Sequence, residues 1–261
     1  MTAATGSARG LRHVEHVMGT VFSFDVRDEP VPALREALAR AVAWLHRVDA
    51  VFSPYRPDSS VGRLARRTTT LAEEPADVAA ILELCAELED ATRGCFSARP
   101  AGRLDPSGVV KGWATEEAAR ILERAGARNL CVNGGGDLQL SGEPAPGEPW
   151  RVGIADPRRP DRTVAVVSGR DLAVATSGNA ERGRHITDPR TGVPVDGPLS
   201  CTVVGPHLTR ADPYATAALV MGDEAWEWLA RLDGYALLTV PADGGPPAAG
   251  DGFPLAEPPP A

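Results

Sequence analysis

Long apolar runs are missing from this chain of 261 residues. No stretch approaches the ~18 consecutive apolar residues of a membrane helix. The opening segment MTAATGSARGLRHVEH has no apolar signal core and no lipoprotein-type cysteine, which predicts a cytoplasmic protein without a membrane span. Cysteine is scarce. Cys85, Cys95, Cys131 and Cys201 form no CxxC pair, a spacing that argues for reduced thiols over a disulfide framework or a zinc site. Surplus positive charge is also missing: 27 Lys and Arg against 35 Asp and Glu give a net charge of −8. Such a chain lacks the basic face that nucleic-acid binding needs. An anionic substrate would have to be met by a local cation or a metal. No internal repeat and no linker interrupts residues 11–240, so they read as one unit. Residues 1–10 and the Pro- and Gly-rich residues 241–261 read as disordered ends.

What is present is an ordinary globular composition, 43% hydrophobic and 24% charged. A chain of this length can bury about 75% of the surface its unfolded form exposes. Leu34, Leu38, Ala41, Val42 and Leu45 predict an amphipathic helix over 32–48, with Pro32 in its first turn. Val78, Ile81, Leu82, Cys85 and Leu88 predict a second over 75–92. A third over 113–125 ends at Gly126, and residues 94–112 read as irregular. Strands are expected in the second half of 14–26 and over 129–133, 138–140, 150–154, 163–168, 172–176, 200–204 and 235–240. Helices are expected over 213–221 and 224–232. This order predicts an α+β fold, with mixed or antiparallel sheets and flanking helices in a single domain.

The most polar stretch is 176–192, TSGNAERGRHITDPRTG. It follows an expected buried strand, and polar side chains at strand ends are where such folds place chemistry. A solvated loop is the plainer alternative. Residues 133–137, Asn-Gly-Gly-Gly-Asp, form either a hairpin turn or a backbone cradle for an anion. Lys111 precedes the helix expected from Trp113 and is either solvated or placed to meet a phosphate that the helix dipole also favours. No GxxxxGK[ST] loop surrounds it. Asp212-Pro213 has the form of an N-cap followed by Pro at the first helical position. Alternatively, Asp212 and Thr216, four apart, present a carboxylate and a hydroxyl on one face, hard oxygens suited to Mg²⁺. His185 stands among charges and can donate to a phosphate or move a proton. His13, His16, His46 and His207 read as structural or solvated.

Together these segments resemble the ApbE family of FAD:protein FMN transferases. The resemblance is carried in order by Met18-Gly19-Thr20, by residues 52–59 (FSPYRPDS) and by residues 105–113 (DPSGVVKGW). It continues through residues 133–137, 175–178 (ATSG), 185–192 (HITDPRTG) and 211–217 (ADPYATA). It implies a T-fold-type α+β domain that holds FAD in a cleft beside Mg²⁺. It also implies cleavage of the FAD pyrophosphate, attachment of FMN to a Thr or Ser of an acceptor flavoprotein, and release of AMP.

By the same resemblance Met18 and Tyr55 border the flavin ring. Gly135, Gly136 and Asp137 contact the nucleotide part, and Lys111 and His185 lie near the pyrophosphate. Asp58, Ser59, Thr176 and Ser177 complete the cofactor-binding set. Asp212 and Thr216 hold Mg²⁺, helped by the backbone carbonyl of Val109. His185 is the expected catalytic base, with Asp212 or Asp188 in reserve. The acceptor pattern is Asp-x-x-Ser/Thr-Gly-Ala-Thr/Ser. Residues 188–192 begin like it, but Val193-Pro194 ends differently, so self-flavinylation is not expected. A homodimer is compatible with the resemblance. Three positions depart from the family's pattern: Ser97 after Phe96, Asn179-Ala180 after the Ser-Gly turn, and Pro213 after Asp212. A FAD pyrophosphatase and a non-catalytic FAD-binding protein are the competing functions.

Overall fold

A computed structural model describes residues 10–178 and 186–256. The chain opens with a hairpin of β1 (Leu11–Val17) and β2 (Thr20–Val26), turned at Met18 and Gly19 with φ of 56° and 69°. Four helices follow: α1 (Pro32–Phe52), α2 (Ser60–Ala65), α3 (Ala76–Ala91) and α4 (Ser107–Arg124). Next come β3 (Leu130–Gly134), β4 (Asp137–Ser141), β5 (Trp150–Asp156), β6 (Arg159–Gly169), β7 (Ala173–Gly178) and β8 (Ser200–Gly205). The described chain ends with α5 (Leu208–Met221), α6 (Glu224–Leu229), β9 (Ala236–Val240) and β10 (Ala248–Ala249).

Eight strands form one sheet in the order β1-β2-β3-β4-β7-β8-β9-β10, and every described pairing is antiparallel. Side chains alternate between the two faces of a strand. Ala173, Ala175, Cys201, Val203 and Leu237 therefore join the larger core under α1, α4 and α5. Their neighbours Val174, Val204, Leu238 and Val240 face a smaller core on the other side. That second core is closed by the separate β5–β6 ribbon and by Phe253. The two layers of helix and sheet make the α+β architecture expected from element order.

Several boundaries differ from the sequence reading. β1 is a full strand at the sheet edge, and its exposed face carries Arg12, Val14 and His16, so it lacks the continuous apolar pattern of a central strand. α1 runs to Phe52, four residues past the expected end, and buries that ring. α2 was not expected. α4 begins at Ser107 instead of Trp113, so Lys111 lies inside the helix and not ahead of it. α5 begins at Leu208, so Asp212 is not an N-cap and Pro213 stands inside the helix. Residues 241–256 are not a free tail: β10 pairs with β9, Leu255 bridges to Val167, and Phe253 is buried. The Pro- and Gly-rich composition hid these few apolar anchors. Residues 1–9 and 257–261 lie outside the described residues. No helix among the described residues is long and apolar enough to cross a membrane.

Candidate active site

Three glycines make the β3–β4 turn possible. Gly135 and Gly136 both have positive φ, 63° and 99°, which glycine adopts without a steric penalty. Their amides are already committed to protein acceptors. Gly135 N–H donates to the Val21 carbonyl at 3.0 Å, and Gly136 N–H to Asn133 Oδ1 at 2.8 Å. The structure therefore supports the hairpin alternative over an open anion cradle. The turn leans on β2, since a Cβ on Gly135 would come within 2.6 Å of Thr20 Oγ1. Its tight closure delivers Asp137 to the start of β4.

Asp137 enters a buried polar cluster built from four distant segments. Lys111 Nζ pairs with Asp137 Oδ2 and, at 3.2 Å, with Asp212 Oδ2. The Gly112 N–H donates to the same Asp212 oxygen at 3.1 Å. Helices α4 and α5 approach closely here, because a Cβ on Gly112 would lie only 2.6 Å from the Leu208 carbonyl. Asp137 Oδ1 accepts the Thr176 N–H at 2.9 Å. Ser177, one residue further along β7, has its hydroxyl 2.9 Å from that of Thr216. Thr216 sits one turn beyond Asp212, its hydroxyl 3.5 Å from the Asp212 carbonyl.

The electrostatics are unbalanced. Asp137 and Asp212 are 2% and 4% exposed, and they share one ammonium whose side chain is 30% exposed. Burial pushes the Asp212 carboxyl above the ordinary carboxylate range, while Lys111 and the Gly112 amide pull it back. Two carboxylates against one ammonium leave a negative surplus beside two hydroxyls. Lys111 is the one lysine among the chain's 27 Lys and Arg residues. A compact ammonium with rotatable donors serves both carboxylates at once. That singularity is a sequence signal the motif reading passed over. Among the described residues no three His, Cys, Asp or Glu side chains cluster as a metal site. The donors at hand are one or two carboxylates and hydroxyls, a set that fits Mg²⁺, which keeps waters and substrate oxygens for its remaining positions.

The other expected site residues are placed as follows. Met18 is half-buried in the β1–β2 turn. Tyr55 is 85% exposed on the loop after α1. Asp58 lies on the same loop, held below its usual range by a backbone amide and by Arg56, whose guanidinium is 3.6 Å away. Ser59 is fully buried and caps α2: it accepts Gly62 N–H at 2.8 Å and lies 2.7 Å from the Ser53 carbonyl. Its hydroxyl is committed to the protein, so a direct role toward a ligand is not supported. Val109 is buried in the first turn of α4. Asp188 is bound by Arg190 at 2.8 Å and held below its usual range by that guanidinium, which makes it a weak base. His185, Asn179 and Ala180 lie outside the described residues. Thus Lys111, Asp137, Thr176, Ser177, Asp212 and Thr216 come together, and Tyr55, Asp58 and Ser59 sit on a separate loop.

Comparison with known proteins agrees in one direction. The profile of the ApbE family matches residues 18–100 and 97–239. A FAD:protein FMN transferase of Rhodobacter capsulatus is 37% identical over 157 residues, covering 57% of this chain and 30% of the relative. One from Salmonella typhimurium is 32% identical over 151 residues, covering 54% of this chain and 43% of the relative. The matched stretch therefore spans less than half the length of either relative. The crystal structure of the ApbE protein from Thermotoga maritima superimposes with a TM-score of 0.84 at 21% identity, over 94% of this chain and 98% of that one.

Proposed function

Because this chain belongs to the ApbE family, we propose that it is a Mg²⁺-dependent FAD:protein FMN transferase. The acceptor hydroxyl oxygen forms a bond to the phosphorus on the FMN side. The pyrophosphate P–O bond breaks, and AMP leaves with the bonding pair. One observation carries the proposal: Lys111, Asp137, Asp212, Ser177 and Thr216, from segments far apart in sequence, converge on one half-open polar cluster. A net-negative protein gains little by burying two carboxylates on one lysine unless cationic chemistry happens there.

Asp212 and Thr216 would hold Mg²⁺, with the Val109 carbonyl in support. When bound, the ion supplies neutralisation of the charge that builds on the transferring phosphoryl oxygens. Lys111, partly exposed, can turn its ammonium toward the pyrophosphate. Asp137 pairs with that ammonium and is itself held by the Thr176 N–H. Ser177 orients the Thr216 hydroxyl. Met18 and Tyr55 would border the flavin, Asp58 would lie beside them, and Gly135 and Gly136 would line the nucleotide. His185 is the proposed base for the acceptor proton. The acceptor would be a flavoprotein carrying Asp-x-x-Ser/Thr-Gly-Ala-Thr/Ser. The four free cysteines suit a reducing cytoplasm.

The test is incubation with FAD, Mg²⁺ and a domain bearing that pattern, followed by mass spectrometry. A mass gain of one FMN on the acceptor and release of AMP are expected. FMN and AMP without an acceptor adduct would instead identify a FAD pyrophosphatase, and bound FAD without turnover a non-catalytic protein.

A further inference from the structure

The start of α5 is fastened by side chains from two other elements. His207, at its N-cap position, provides no side-chain cap. Gln139 of β4 instead accepts the Leu208 N–H at 3.1 Å. Glu116 of α4, 3% exposed, accepts the Thr209 N–H at 2.8 Å and the Thr209 hydroxyl at 2.6 Å. Its other oxygen meets His207 Nδ1 at 2.9 Å and also Arg120. The first N–H groups of a helix need acceptors, and a carboxylate is favoured there by the helix dipole.

The same three elements build the polar cluster. Glu116 follows Lys111 on α4, and Gln139 follows Asp137 by two positions on the same face of β4. Leu208 and Thr209 lie within one turn of Asp212 on α5. Polar links therefore join the elements at two neighbouring points, the ion pairs at Lys111 and the cap at Thr209, beside the apolar packing of Leu208, Ala211, Ala215 and Leu219. Apolar packing is non-directional, and the directional bonds of the cap select one register. A shift of about 1 Å is enough to spoil a reacting geometry.

We propose that Glu116, supported by Gln139, is a positioning residue. It sets the register of α5 against α4 and β4, and so holds Asp212 and Thr216 where Mg²⁺ would bind. The functional half of this proposal rests on the transferase reading, and the structural half rests on the contacts alone.

The test uses the full chain with Mn²⁺ as the probe, titrated by electron paramagnetic resonance. Hydrogen exchange along α5 is followed in the same samples. Glu116→Ala is expected to weaken Mn²⁺ binding about 10-fold or more and to speed exchange through residue 216, not only at the first turn. Glu116→Gln keeps an acceptor for the Thr209 amide and should restore most of the affinity. Gln139→Met removes the Leu208 acceptor, together with a long 3.4 Å bond to the Pro206 carbonyl, and should move both readouts the same way by a smaller factor, which serves if Glu116→Ala does not fold. Unchanged Mn²⁺ affinity in a folded Glu116→Ala protein, or faster exchange that stops at residue 209, would overturn the proposal. If the unmutated protein binds no Mn²⁺, the metal reading fails, and the exchange profile still decides the register.

Discussion

The loop that carries Tyr55 and the cluster around Lys111 both hold polar groups still, but by opposite means. The loop is fastened from nearby and from its rim. Ser59 takes the Ser53 and Arg56 carbonyls, Arg103 takes that of Pro54, and Arg66 and Arg63 take those of Pro57 and Asp58. With these carbonyls paired, it offers side chains such as Tyr55 and Asp58 to solvent. The cluster joins residues 111, 137, 176–177 and 212–216, and its carboxylates are buried. An exposed side chain of the loop such as Tyr55 can be removed at little cost to the fold. The ammonium of the cluster cannot, because two buried carboxylates are then left without their cation.

The largest contrast should come from Lys111→Met. It leaves Asp137 and Asp212 without their ammonium and should cost roughly 3–5 kcal/mol of stability near neutral pH. The pH dependence has a definite sign. Burial already raises the Asp212 carboxyl, and without Lys111 the shift grows. The folded state then binds a proton that the unfolded chain does not, so stability recovers as pH falls toward the ordinary carboxylate range and is lost as pH rises. Denaturant titrations at several pH values check this.

Asp212→Asn keeps shape and removes charge. FMN transfer should fall by at least about 100-fold, while FAD affinity changes far less, which separate rate and binding measurements can resolve. Tyr55→Ala, on the loop, should do the reverse. Losing an aromatic contact of about 0.5–1.5 kcal/mol weakens FAD binding up to roughly 10-fold, with a thermal midpoint close to that of the unmutated chain. Fluorescence titration with FAD reads this effect.

The smallest effect sharpens the loop side. Glu74 binds Arg63 at 2.6 Å, and that guanidinium, helped by Ser60, pulls its carboxyl down to about 2. A depressed carboxyl stabilises the fold above its unfolded value and loses that contribution as pH drops through its folded value. The Arg63 clamp on Asp58 should therefore loosen between pH 4.5 and about 2. Amide exchange at residues 58–63 should rise over that range, and Glu74→Gln should show the rise already at neutral pH.

The same comparison explains what the sequence could reveal. Periodic elements such as the helix of Leu34, Leu45 and Val48 declare themselves, because burial on one face is a local pattern. The motif residues of the cluster stand out by their chemistry. The starts of α4 and α5 do not. Gly108 and Gly112 lower helical propensity, yet Gly112 is needed because α5 passes where a side chain would be. Asp212-Pro213 imitates a local cap, while the true cap is supplied by Glu116 and Gln139, 93 and 69 residues away from their partners. That the Ser59 hydroxyl caps α2 was not legible, since a motif position says nothing about where a hydroxyl points.

The central claim is that a metal ion and the FAD pyrophosphate meet beside Asp212. The most direct measurement is ³¹P NMR of FAD bound to the protein with Mn²⁺ added. Strong broadening of both pyrophosphate resonances is expected with the unmutated chain, and its loss with Asp212→Asn. Equal broadening in the two proteins would contradict the account.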